Sequence, residues 1–145
     1  MSQENVEVVR RVFDASAQRD ADTVFSLFDA EAEWDNSRGP FKDLIGAGVY
    51  RGHEGLRRFW HEYYAEAWES VEDNLEELID IGDSVVSVVN SRARGRASGV
   101  EVEWTHNAGV WTIRDGTPCA CRSSPSQKGP RSRRVAGVGD VAGRP

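Results

Sequence analysis

Few side chains in this sequence are of the types that carry chemistry, and their spacing excludes several mechanisms at once. His53, His61 and His106 are too dispersed to form a metal set. Cys119-Ala-Cys121 supplies only two thiolates, half of a closed zinc shell, and its cysteines are too close together for a stabilising disulfide. No metal or cofactor is expected. Asp35 follows Trp34 directly. A carboxylate in a mostly apolar hollow has a raised pKa, as acid/base work near neutral pH requires. The competing reading is local: Asp35 precedes Asn36 and Ser37 and can cap a turn there. Strand alternation puts Trp34 and Asp35 on opposite faces. His106 and Asn107 also fall on opposite faces of one strand, Asn107 with Gly109, Trp111 and Ile113, His106 with Trp104, Ala108 and Val110. Tyr50 stands where its hydroxyl could reach a cavity mouth.

These side chains need a frame, and the stretch from Arg51 to Trp68 supplies its centre. Leu56, Phe59, Trp60, Tyr63, Tyr64 and Ala67 follow the i, i+3, i+4, i+7, i+8, i+11 series of one helix face. Four aromatic rings on one stripe require a wide concave cover. Two helices precede it. One spans 3–19 with Val6, Val9, Phe13 and Ala17 on a face. The other is shorter, capped by Asp20 or Asp22, and carries Val24, Leu27 and Phe28. A short extended segment over 30–35 holds Trp34, and 36–50, with three Gly and one Pro, reads as a loop able to lid a cavity. Strands are expected over 71–81, 84–96 and 100–113, although Leu75, Leu78 and Ile79 also fit a helix. Val85, Val86, Val88 and Val89 read as a buried run. Arg92, Arg94 and Arg96 share one face, read as solvated or as a contact surface. Three helices followed by an antiparallel meander make an α+β domain whose strands curl around the aromatic helix.

At 145 residues the chain is one domain, with the 39% apolar and 29% charged content of a soluble globular protein. No apolar run approaches the roughly 20 residues of a membrane span. The start, Met-Ser-Gln-Glu, shows no secretory signal, and a cytoplasmic protein with reduced thiols is expected. The net charge of −6 is uneven. From Arg122 onward there are six basic residues and one acidic, while the rest holds 12 basic and 23 acidic, a net of −11. So acidic a body argues against nucleic acid as a partner.

The pattern breaks after Asp115-Gly116, a strong hairpin signal. Residues 117–145 have no periodicity and scattered Gly, Pro and Arg, so they read as an atypical, basic, disordered tail that would leave 100–113 as a bare edge. Lys128-Gly-Pro-Arg-Ser-Arg-Arg-Val135 is encodable by GC-rich codons that, offset by one base, read Arg-Ala-Leu-Glu-Ala-Ala-Gly-Leu. A shifted reading frame is the expectation this raises.

The order of helix, helix, Asp29-Ala-Glu-Ala-Glu-Trp34-Asp35, loop, Tyr50-Arg-Gly-His-Glu-Gly55, aromatic helix and Gly109-Val-Trp-Thr-Ile-Arg-Asp-Gly116 resembles the SnoaL-like branch of the NTF2-like superfamily. The resemblance covers residues 1–116 and implies a SnoaL-like domain there. It implies a cone of three N-terminal helices packed in a curved antiparallel β-sheet, open at one end. Members include polyketide cyclases, ketosteroid isomerase, scytalone dehydratase, limonene epoxide hydrolase and non-catalytic binding or dimerisation modules, so the fold leaves function open.

By this resemblance Asp35 matches the isomerase's proton-shuttling carboxylate and is the catalytic candidate. Trp60 and Tyr64 match pocket-side positions, the Trp111 face looks inward, and Asn107 and Tyr50 complete the candidate ligand-binding set. The isomerase's first-helix tyrosine falls at Phe13 or a neighbour and its second acid at Gly109, so no oxyanion hole assembles and steroid isomerisation is not expected. Arg92 and Arg94 could pair with Asp35 as in an epoxide hydrolase. Three outcomes follow. One is a cofactor-free enzyme on a small apolar ligand. The second is a non-catalytic binding or dimerisation module. The third is a chain whose tail impairs folding. Homodimerisation through the sheet, at Ala108 and Val110, is the implied assembly.

Overall fold

The computed structural model describes residues 2–38, 48–123 and 131–133. Helix α1 (Ser2–Ala17) buries Val8, Val9, Val12 and Ala15, an amphipathic stripe, against the sheet. Helix α2 (Ala21–Leu27) starts at Asp20, whose carboxylate accepts from the Thr23 amide at 3.3 Å and the Thr23 hydroxyl at 2.7 Å. Strands β1 (Glu33–Asp35) and β2 (Val49–Arg51) pair antiparallel. Gly52, at φ +69°, turns the chain from β2 into helix α3 (Gly52–Trp60).

The aromatic helix does not continue as one α-helix. From His61 to Ala67 it widens into π-helical turns, so that consecutive Tyr63 and Tyr64 both face the sheet. Such widened turns recur at functional sites. Trp60 and Tyr64 lie 4.4 Å apart between ring centroids, and Tyr63 meets Tyr64 edge-on at 4.9 Å.

The long strands follow: β3 (Trp68–Asp80), β4 (Ser84–Gly95), β5 (Glu101–Arg114) and β6 (Thr117–Ser123). The sheet runs β2-β1-β6-β5-β4-β3, with the three-residue β7 (Arg131–Arg133) also on β5. Every pairing is antiparallel except β1 with β6. The fold is α+β, a cone of helices packed in a curved sheet, as the resemblance implies. Strand β4 alternates strictly, with Val85, Ser87, Val89, Ser91 and Ala93 buried and Val86 and Val88 on the outer face. The expected buried valine run is therefore a half-buried strand.

Strand β5 changes phase at a bulge. One residue of β4, Asn90, separates Val89 from Ser91 where two of β5, Thr105 and His106, separate Trp104 from Asn107. His106, at φ 56°, absorbs the extra residue. Trp104 and Asn107 consequently both face inward although their numbers differ in parity.

Thr117–Ser123 is not disordered: it forms β6, pairs with β5 and β1, and buries Pro118 and Cys121. An open edge on β5 facing an open edge on β1 supplies hydrogen bonds that outweigh poor strand composition. The remaining tail, 124–130 and 134–145, and the 39–47 part of the expected lid lie outside the described residues.

Candidate functional site

Inside the cone the helices and sheet enclose a hollow of about 380 Å³. One side is aromatic: Phe59, Trp60, Tyr63 and Tyr64 from the central helix, Phe13, Phe25 and Phe28 from α1 and the α2 end. The other side is the inner sheet face, with Asp73, Ser87, Val89, Ser91, Asn107 and Trp111. The apolar part is closely packed. Trp111 stacks on Phe28 at 5.9 Å, meets Phe13 at 5.7 Å and Trp34 edge-on at 5.7 Å, and its Nε1 donates to Ser87 Oγ at 3.0 Å.

The chemistry of the hollow centres on Asp73, which stands on β3 opposite Ser91 of β4. The Ser91 hydroxyl donates to Asp73 Oδ1 at 2.6 Å, and the Tyr63 hydroxyl approaches the same oxygen at 3.4 Å. Asp73 is half-buried: protein surrounds the carboxyl, which borders the hollow. Loss of solvent raises its pKa above the ordinary carboxylate value, and the Ser91 bond and the Arg19 charge only partly offset this. Burial, then the Asp73 charge, pushes the Tyr63 phenol well above its usual range, so Tyr63 stays a donor. Arg19, exposed at the end of α1, donates to the Ser16 and Val71 carbonyls, each at 2.8 Å, and lies 4.3 Å over the Tyr64 ring. Three further atoms are enclosed without a hydrogen-bond partner among the described residues: Asn107 Oδ1, Asn36 Nδ2 and Trp34 Nε1.

A family model for the SnoaL-like domain matches residues 9–117. The chain belongs to the SnoaL-like family. No curated protein matches it. Among solved structures it is similar to TerC co-crystallised with polyporic acid, at 20% identity over 83% of this chain and 89% of that one, TM-score 0.70. It is similar to a limonene-epoxide-hydrolase-like epoxide hydrolase of Mycobacterium tuberculosis, at 16% identity over 85% and 83% of the two chains, TM-score 0.65. A putative polyketide cyclase of Sinorhizobium meliloti is 21% identical over 81% and 94%, TM-score 0.63. At such identities these likenesses establish the fold alone.

Within this SnoaL-like cone, four of the expected ligand-site residues line the hollow: Trp60, Tyr64, Asn107 and Trp111. The enclosed side-chain atom of Asn107 that has no partner among the described residues is its carbonyl oxygen. Two expected residues are elsewhere. Asp35 is not part of the lining: its Oδ1 accepts from the Ser37 amide at 2.9 Å and the Ser37 hydroxyl at 2.6 Å, bonds that lower its pKa. The local turn wins, and a carboxylate so held is a poor proton shuttle. Tyr50 is buried beneath the helix, and its hydroxyl donates to Glu62 Oε1 at 2.6 Å rather than reaching the hollow. Arg92 and Arg94 pair with Glu72 and Glu101, not with Asp35. Cys121 is buried and burial pushes its thiol up, away from thiolate chemistry. No group of three metal-binding side chains occurs among the described residues, and no helix there is long and apolar enough to cross a membrane.

Asp73, Tyr63 and Ser91 were missed as a site. The signal was present in the period-two series Val71, Asp73, Leu75, which places a carboxylate on the apolar phase of a strand.

Proposed function

We propose that this protein binds an apolar, ring-containing small molecule inside the cone, and that Asp73, not Asp35, is the group that exchanges a hydrogen bond or proton with it. The observation carrying this reading is a half-buried carboxyl set on the sheet wall of a hollow whose helical wall is aromatic. Aromatic walls with few polar groups suit such ligands. A carboxyl with a raised pKa suits proton transfer near neutral pH. Tyr63 and Ser91 hold it in place from two different elements. The likeness to structures co-crystallised with ring compounds, polyporic acid in TerC and estradiol-17β-hemisuccinate in a Mycobacterium tuberculosis protein, agrees with this class.

The test is equilibrium dialysis with 1-ethylnaphthalene as probe. Saturable binding to the wild type is expected. Val89→Phe, which extends a ring from β4 into the hollow, should weaken it at least about tenfold while the far-ultraviolet circular dichroism stays unchanged. No saturable binding to the wild type would remove the reading.

We also propose that two copies associate through the outer sheet face. Val86 is paired with Val110 and flanked by Ile79 across β3, which gathers apolar side chains on the convex side, and Ile79 is 38% exposed. Sedimentation equilibrium is expected to give a dimer that Val86→Lys converts to a monomer. A wild type that stays monomeric at high micromolar concentration contradicts the association.

A further inference from the structure

The polar atoms of the hollow are not evenly distributed, and their arrangement bears on the charge of the occupant. Towards the β3–β5 side the open atoms are acceptors. Both hydrogen bonds to Asp73 fall on Oδ1, so Oδ2 takes none among the described residues. Asn107 Oδ1, diagonally across β4 from it, is enclosed and unpartnered. Three donors there are placed on protein partners, Ser91 and Tyr63 on Asp73 and Trp111 Nε1 on Ser87, and the Tyr64 hydroxyl lines the same side. The enclosed donors without a partner among the described residues, Asn36 Nδ2 and Trp34 Nε1, belong to the β1 side, at the far end of the strand order. An occupant that brings donors therefore finds acceptors at Asp73 Oδ2 and Asn107 Oδ1.

Charge narrows the choice among donors. No ion pair within 4 Å reaches Asp73 among the described residues. Arg19, the nearest cation, is exposed, screened by solvent and committed to two backbone carbonyls. The Tyr63 hydroxyl reaches the carboxyl, Trp60 and Tyr64 line the same hollow, and Arg19 over Tyr64 shows that one of these faces accepts a cation. The acidic body adds a field that favours cations over anions as partners.

Building on the binding function proposed above, we infer that the ligand is a ring-bearing amine, bound as its ammonium ion, with its N–H groups on Asp73 and Asn107 and its rings against the aromatic helix. Alkyl amines are protonated at pH 7, so the ion is the species that arrives. Asp73 acts as counter-ion, and Ser91 and Tyr63 keep its Oδ1 occupied so that Oδ2 is presented to the ligand.

Three probes of one shape test this by equilibrium dialysis at pH 7 and low salt: 2-(1-naphthyl)ethylammonium, neutral 1-ethylnaphthalene and anionic 1-naphthylacetate. The ammonium is expected to bind about tenfold more tightly than ethylnaphthalene, as charge-assisted hydrogen bonds and cation–π contact provide, and the acetate least. In Asp73→Asn the ammonium advantage should shrink to below about twofold, with an unchanged far-ultraviolet circular dichroism spectrum as proof that the fold is intact. Equal binding of ammonium and ethylnaphthalene by the wild type, or an advantage that survives Asp73→Asn, overturns the inference while the binding function stands. If none of the three probes binds, both fall.

Discussion

Trp111→Ala is expected to cost about 3–5 kcal/mol of folding free energy, the range for removing a large aromatic side chain from a core. Trp111 is 2% exposed and sits mid-sheet, between Val85 of β4 and Cys121 of β6. Its indole is where three elements meet: Phe13 from α1, Phe28 from the α2 end and Trp34 from β1. The loss lies at the upper end because the site cannot collapse. The removed volume merges with a hollow that already exists, so the exposed rings regain few contacts. Ser87 Oγ also loses the indole N–H at 3.0 Å in a buried position. Trp111→Phe keeps a ring and loses the bond, and should cost about 1–3 kcal/mol. Urea denaturation measures both through the midpoint, with the slope unchanged. A cost below about 1 kcal/mol for the alanine variant would contradict the indole's place as the junction of helices and sheet.

What the sequence made legible followed periodicity. The aromatic helix, the two helices before it and the strand meander each carry a repeat of 3.6 or 2 that burial obeys, and alternation groups Asn107, Gly109 and Trp111 on one face, which the family resemblance turned inward. Three kinds of physical effect were not legible. The β5 bulge is invisible to alternation, since nothing in Thr105-His106 announces a residue at positive φ. Tyr50 was decided by a partner twelve residues away on the next helix, whereas the turn that holds Asp35 was one of the two readings its neighbours offered. Strand β6 was decided by its neighbours. Pro118, Ala120 and the two cysteines have little strand propensity, yet two open edges flank them. Asp73 is a different case, because its position in the strand phase was readable. The helix-like spacing of Leu75, Leu78 and Ile79 obscured the period of two, and the family resemblance drew attention to the carboxylate after Trp34 instead.

Asp73→Asn should make the protein more stable at pH 8 and leave its stability unchanged near pH 4. The folded-state pKa of Asp73 lies above that of the unfolded chain, first because burial disfavours the charged form. Between the two values the folded protein holds the extra proton, so stability falls as pH rises through that window and stays low above it. The neighbours do not reverse the sign. Arg19 and the bonds from Ser91 and Tyr63 favour the carboxylate, Glu72 opposes it, and the net shift is upward. Asparagine keeps an oxygen for the Ser91 hydroxyl and carries no charge. The gain at pH 8 should be on the order of 1 kcal/mol, towards the low end for relieving a buried charge, because the hollow admits some solvent. Thermal melts would show this as about 3 °C for a chain of this size. A variant less stable than the wild type at pH 8 would mean that the carboxylate is a structural asset held by its hydrogen bonds. The expected result is the opposite, a carboxylate kept at a cost to stability, which is the usual mark of a group retained for what it binds or does. An ammonium ion seated on Asp73 would offset that cost, so occupancy of the cone and the charge on Asp73 are linked through the same free energy.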